Sequence, residues 1–180
     1  MPSVAVIGHS NLPKFASWSN NIQLETFKVK GAKLIDLIQR KNFPETLYTT
    51  SWDYVILFMG GNDIAKCRDI DTLFRRFLTA KELFPCERFI LTDIEPRVYT
   101  PEKAARYRIR TEQYTAVAKV VNKKLKRYAS REKPIVQMVH IPPSYTINSH
   151  DGIHLTASGT QKLIGRYKAI INAHSNAQNQ

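Results

Sequence analysis

At 180 residues, 43% of them apolar and 23% charged, the chain is long enough for one well-buried domain and too short for two comfortable ones. Its formal net charge of +12 and isoelectric point near 9.8 predict attraction to nucleic acid, anionic membrane or acidic partners, and bear little on fold. Cys67 and Cys86 are its only cysteines, with no Cys-x-x-Cys pair and no histidines at zinc-ligand spacing, so neither a disulfide framework nor a metal site is expected and a reducing, cytoplasmic setting fits.

No basic, apolar and cleavable leader precedes the first strand, and the longest apolar run, residues 55–61, is too short to span a bilayer. So abrupt a start also fits a piece of a longer chain. Val4 to Ile7, β-branched and apolar, predicts a buried strand that Gly8 ends, leaving Ser10 at its carboxyl tip. Residues 11–18 predict a short helix with Asn11 as cap and Pro13 in its first turn. Residues 25–29 alternate as a second strand. Gly31 then opens a segment with Leu34, Ile35, Leu37 and Ile38 on one helical face. Residues 52–59 form the strongest strand signal, ended by Gly60-Gly61-Asn62-Asp63.

Ile70, Leu73, Phe74, Phe77 and Leu78 keep helical spacing up to a stop at Pro85, and residues 88–94 give a fourth strand. Thr100-Pro101 reads as cap and first residue of one long helix with Tyr107, Tyr114, Val117, Val121, Leu125 and Tyr128 on its inner face. Residues 134–139 are a fifth strand. From Ser158 a last helix turns Leu163, Ile164, Tyr167, Ile170 and Ile171 to one side, and residues 174–180 read as a polar tail. Strands alternating with helices predict one α/β domain over residues 1–173, a parallel five-stranded sheet with helices on both faces.

The chemistry-bearing residues follow the strands. Ser10, Gly31, Asn62 and His154 each lie near a strand's carboxyl end, so in a parallel sheet they converge on one rim. Asp151 and His154 are three apart around Gly152, and a carboxylate so placed can hold an imidazole in the tautomer that accepts a serine's proton. On its own that stretch reads as a capped helix start. Convergence with the other blocks makes it a candidate site. His9 adjoins Ser10, but neighbours on an extended chain point to opposite sides, so it is read as a loop or rim residue. Asp63 is expected to fix a turn, and His140 either to face the site or to cap the sheet. Arg97, also on the rim, either meets an anionic substrate or pairs with Glu95, and Ile141 and Tyr145 either line an acyl pocket or cover the core.

These blocks resemble the SGNH hydrolase superfamily, the GDSL esterases and lipases, over residues 4 to 171. The resemblance implies a flavodoxin-like three-layer α/β/α sandwich and a serine esterase that needs no metal or cofactor and acts on short-chain acyl, acetyl or lipid esters. It implies that Ser10 is the nucleophile, His154 the general base and Asp151 its orienting acid. The backbone amides of Ser10 and Gly31 and the Asn62 side chain would form the oxyanion hole. One departure stands out: Gly8-His9-Ser10 replaces the family's Gly-Asp-Ser, whose acid often supports the turn. Gly8-His9-Ser10 and residues 151–159 also look like the esterase domains in the first open reading frame of some animal non-LTR retrotransposons. That likeness implies a domain of a larger RNA-associated protein. The rival reading is an inactive module of the same fold that docks on nucleic acid or anionic membrane through the basic region from Lys103 to Lys133.

Overall fold

The apolar runs become strands β1 (Ser3–Gly8), β3 (Trp52–Phe58), β4 (Cys86–Thr92) and β5 (Val136–Val139). The more polar β2 (Gln23–Lys28), with only Phe27 buried, takes an edge. The computed structural model describes residues 1–13, 21–146 and 151–178, so most of the helix expected over 11–18 lies outside the described residues, as does His150. All pairings are parallel, in the order β2-β1-β3-β4-β5. The strands' carboxyl ends therefore share one edge.

Side chains alternate between two cores, as the pleat demands. Ala5, Ile7, Val55, Leu57, Phe89 and Leu91 point to one face, Val4, Val6, Tyr54, Ile56, Phe58 and Ile90 to the other. The first face is covered by α1 (Leu34–Ile38), α4 (Ile70–Glu82) and α6 (Thr111–Arg131); the short helices α2 (Thr46–Thr49), α3 (Gly61–Ile64) and α5 (Pro101–Tyr107) join them along the chain. The second face is covered by α7 (Ala157–Gln178), through Leu163, Tyr167 and Ile171. The result is the expected three-layer α/β/α sandwich.

Two helices differ from expectation. The single helix read from Thr100 onward is two: α5 ends where Arg108 turns left-handed at φ 52° and donates to the Ala104 and Ala105 carbonyls, and α6 starts afresh at Thr111. Tyr107 consequently leaves the expected inner face and is 41% exposed. At the other end α7 continues to Gln178, so the polar residues read as a tail from 174 are helical to that point. β4 also begins at Cys86 and β5 at Val136, shifts of two residues that leave the topology intact.

Candidate active site

At the carboxyl edge of the sheet lies a cleft of about 340 Å³ whose walls include Ser10, Gly31, Asn62, Asp151 and His154. All five expected residues thus meet in one place. Each arrives on a different connection: Ser10 after β1, Gly31 after β2, Asn62 in α3 after β3, and the Asp151 to His154 loop before α7. This is where an open parallel sheet presents ligands.

Asp151 and His154 are locked together. Oδ2 of Asp151 lies 2.5 Å from Nδ1 of His154, and its Oδ1 accepts the backbone N–H groups of Ile153 and His154 at 3.0 and 2.9 Å. Partial burial disfavours the Asp151 charge, but these N–H groups and the imidazole outweigh it and hold the carboxyl well below its ordinary range. The loop is pinned from outside as well: Val98 N donates to the Gly152 carbonyl at 2.8 Å, and Lys103 Nζ donates to the Asp151 carbonyl at 2.8 Å. His154 keeps 44% of its side chain exposed, so its Nε2 side can open to the cleft.

Gly31 does not open a helix. It sits at φ +73°, a conformation that disfavours any side chain, in a turn three residues ahead of α1. Among the described residues no acceptor takes the N–H of Ser10 or Gly31, and both line the cleft. Asn62 presents its amide from α3: its Oδ1 accepts from Arg97 Nη2 at 3.2 Å, and its Nδ2 donates to the Ala32 carbonyl at 3.2 Å, leaving a second Nδ2 hydrogen. Two backbone donors and one neutral side-chain donor are what an oxyanion needs.

Behind this wall lies a charged pair, the second of the two roles the sequence left open for Arg97. Glu95 and Arg97 are 1% and 6% exposed and form a salt bridge, with Arg97 Nε at 2.9 Å from Glu95 Oε1 and Nη2 on the same oxygen. Arg97 is therefore a partner of Glu95 and a support for Asn62, rather than a free cation awaiting substrate. Burial disfavours the Glu95 charge, but Arg97 and then His9 outweigh it and hold the carboxyl far below its ordinary range. Asn11 joins the network, its Nδ2 donating to Glu95 Oε1 at 3.2 Å and to the Ile153 carbonyl at 2.9 Å. A Cβ at Gly61 would collide with Arg97 Nη2 and Glu95 Oε1, so only glycine allows the pair to pack there.

Of the two places expected for His9, loop or rim, it takes the loop after β1 but not an exposed position on the rim. It is fully buried, its Nδ1 accepting Asn11 N–H at 3.2 Å and its Nε2 lying 3.3 Å from Glu95 Oε1, off the line of a good hydrogen bond. Its Nδ1 supplies the acceptor two residues back that a turn-forming carboxylate would otherwise provide. This accounts for the tolerance of histidine at a position where an acid is usual.

Asp63 fixes a neighbouring loop rather than its own turn. Both its oxygens accept Leu34 N–H, at 3.1 and 3.0 Å, which ties α3 to the segment that carries Gly31. Burial pushes its carboxyl up to about 6, against the opposing pull of Leu34 N–H and Arg76. A carboxyl whose folded pKa lies above its unfolded value of 3.8 stabilises the fold fully below 3.8 and loses that contribution as pH rises through about 6. Denaturant titrations from pH 4.5 to about 7.5 are expected to show unfolding free energy falling with pH by roughly 2 kcal/mol through this group. Asp63→Asn should flatten that slope.

Ile141 and Tyr145 resolve the other way from an acyl pocket. They are 1% and 6% exposed within the α7-side core and do not line the cleft, because the chain after β5 crosses beneath α7. His140 pairs with Asp93 and is 68% exposed outside the cleft. Among the described residues no group of three His, Cys, Asp or Glu stands close enough to hold a metal ion, and no helix is long and apolar enough to cross a membrane.

The family model described as GDSL-like Lipase/Acylhydrolase matches residues 3–166. Similar solved structures include a Bacteroides fragilis protein provisionally described as an acylhydrolase, with 18% identity, TM-score 0.74, and 96% of this chain and 88% of that one covered. A GDSL-like lipase from Bacteroides thetaiotaomicron shows 18% identity and TM-score 0.70 over 96% and 89% of the two chains. A carbohydrate acetylesterase from Sinorhizobium meliloti shows 13% identity and TM-score 0.70 over 96% and 99%. No curated protein sequence matches.

Proposed function

The chain belongs to the GDSL-like lipase/acylhydrolase family, and from that premise we propose that it is a serine esterase acting through an acyl-Ser10 intermediate. The observation that carries the reading is the short Asp151–His154 pair opening on the same cleft as Ser10, Gly31 and Asn62. In this reading Nδ1–H of His154 is held by Asp151, so Nε2 is free of a proton and takes the one on Ser10 Oγ as the oxygen attacks the ester carbon. Oxyanion charge falls on the N–H groups of Ser10 and Gly31 and on Asn62 Nδ2. His154 then protonates the leaving alcohol, and water that it activates releases the acid.

Short-chain acyl, acetyl and lipid esters are the substrate classes proposed. A cytoplasmic setting belongs to the same reading, supported by the free thiols Cys67 and Cys86. So does an origin in a retrotransposon's RNA-associated protein, supported by the Gly8-His9-Ser10 and 151–159 patterns. The alternative, docking on nucleic acid or anionic membrane, is favoured by the exposed Lys119, Lys123, Lys126, Arg127 and Arg131 of α6.

The test is hydrolysis of p-nitrophenyl acetate and butyrate by the protein beside Ser10→Ala. Turnover by the first and none by the second is the expected result. Equal rates would remove Ser10 from the chemistry. If neither turns over, the docking alternative is next, read as salt-dependent binding of single-stranded RNA and anionic vesicles.

A further inference from the structure

A second cavity of about 510 Å³ adjoins the cleft and shares Ala65, Lys66 and Tyr107 with it. Its remaining walls are Arg68, Arg106 and Arg108. Among the described residues, none of these four cations stands within ion-pair distance of a carboxylate, whereas Lys103 in the adjoining cleft does. The break between α5 and α6 creates this arrangement. Because Arg108 turns left-handed, its carbonyl faces Arg68 and accepts from its Nη2, which brings the guanidinium to the end of α5. Arg106 packs 5.9 Å over the half-exposed Tyr107 ring. On the cleft side, Lys30, Lys33 and Lys103 extend the positive wall, and the one acid among the described residues lining the cleft, Asp151, is engaged by His154.

Like charges gathered around one cavity repel one another, and guanidinium forks match phosphate oxygens. A doubly charged phosphate would relieve that repulsion. Apart from Ala65 and Tyr107 its walls are all cationic side chains, a lining that suits an anion better than an acyl chain. We propose that it is a subsite for a phosphate carried on the alcohol part of the ester substrate. The inference rests on the esterase reading above. The ester C–O bond would break as the acyl carbon bonds to Ser10 Oγ, and the phosphate-bearing alcohol would leave with the proton His154 took from Ser10. Water then restores the serine and releases the carboxylic acid.

The test compares 1-acetylglycerol 3-phosphate with monoacetin, which differ only in the phosphate. The phosphate ester is expected to show kcat/KM about tenfold higher at low ionic strength, equivalent to ~1.4 kcal/mol, and to lose the preference in high salt. Arg106→Gln combined with Arg108→Asn, the latter chosen because asparagine tolerates the left-handed turn, should abolish the preference and leave the monoacetin rate unchanged. Repeating the comparison with phosphatidic acid and diacylglycerol in phosphatidylcholine vesicles separates a lipid headgroup from a soluble phosphate. Titration of glycerol 3-phosphate, followed by amide shifts at Lys66, Arg68, Arg106 and Arg108, reads the subsite without turnover. Saturable shifts without ester cleavage would sustain the subsite and sink the esterase reading. Ester cleavage with no phosphate preference and no saturable shift would overturn the subsite alone, as would shifts produced by single-stranded RNA but not by glycerol 3-phosphate.

Discussion

His154→Ala is expected to lower kcat on p-nitrophenyl acetate by about 10⁶-fold, the order seen when the base of a serine triad is removed. The fold should survive, because the side chain is 44% exposed and the backbone of its loop is held by Asp151, Val98 and Asn11. Asp151→Asn is the more informative companion. Its side-chain oxygen could still accept the Ile153 and His154 N–H groups, but its amide would face Nδ1 of His154 and make that nitrogen an acceptor. The proton then moves to Nε2, the position that must be empty to take one from Ser10. A loss of about 10⁴-fold follows from the wrong tautomer alone, smaller than for His154→Ala. In the native protein Asp151 stays ionised far below neutrality, so its own protonation does not shape a kcat/KM profile near neutral pH. Parallel melting curves check that both variants are folded. A His154→Ala rate within tenfold of the native one would end the triad assignment.

Much of this was legible in the sequence because the site's residues are tied to local signals. Ser10, Asn62 and the Asp151 to His154 stretch each follow an apolar run or a turn, and a parallel sheet gathers such positions on one edge whatever its strand order. What was not legible depends on distance or on phase. For Arg97 the sequence left two roles open, meeting an anionic substrate or pairing with Glu95, and local spacing could not choose between them. The pair's partners His9, Asn11 and Asn62 are 33 or more residues away in sequence, and no spacing rule links them. The split between α5 and α6 falls at Arg108 with no glycine or proline to mark it, so helical periodicity ran through it. Ile141 and Tyr145 turned on which side of the sheet the chain takes after β5, and the alternation of a four-residue strand is too short to decide that. Gly31 was placed correctly on the rim but for the wrong reason, since its use comes from a left-handed turn rather than from a helix start.

The Glu95–Arg97 pair makes the second large prediction, because it joins stability to catalysis. Arg97→Ala leaves the Glu95 carboxylate buried beside Asn11 and His9 without its main counter-charge, and the expected destabilisation is about 3–5 kcal/mol. It also leaves Asn62 Oδ1 without its donor, so the amide can rotate away from the place where its second Nδ2 hydrogen would meet the oxyanion. Asn62→Ala itself is expected to reduce kcat by about 10²–10³-fold with KM little changed, since that donor acts mainly in the transition state. If Arg97 works through Asn62, Arg97→Ala should reduce kcat comparably in the native background and hardly further in Asn62→Ala. A merely structural role predicts instead that the two losses multiply. Glu95→Met with Arg97→Leu separates the two effects again. Removing both charges should recover much of the stability lost in Arg97→Ala, because a buried ion pair can often be replaced by apolar groups of similar volume. It should not recover turnover, because no donor returns to Asn62 Oδ1. Stability and rate recovering together would show that Arg97 matters only as packing. Stability alone recovering would assign the pair to the alignment of Asn62, three loops away from the serine it serves.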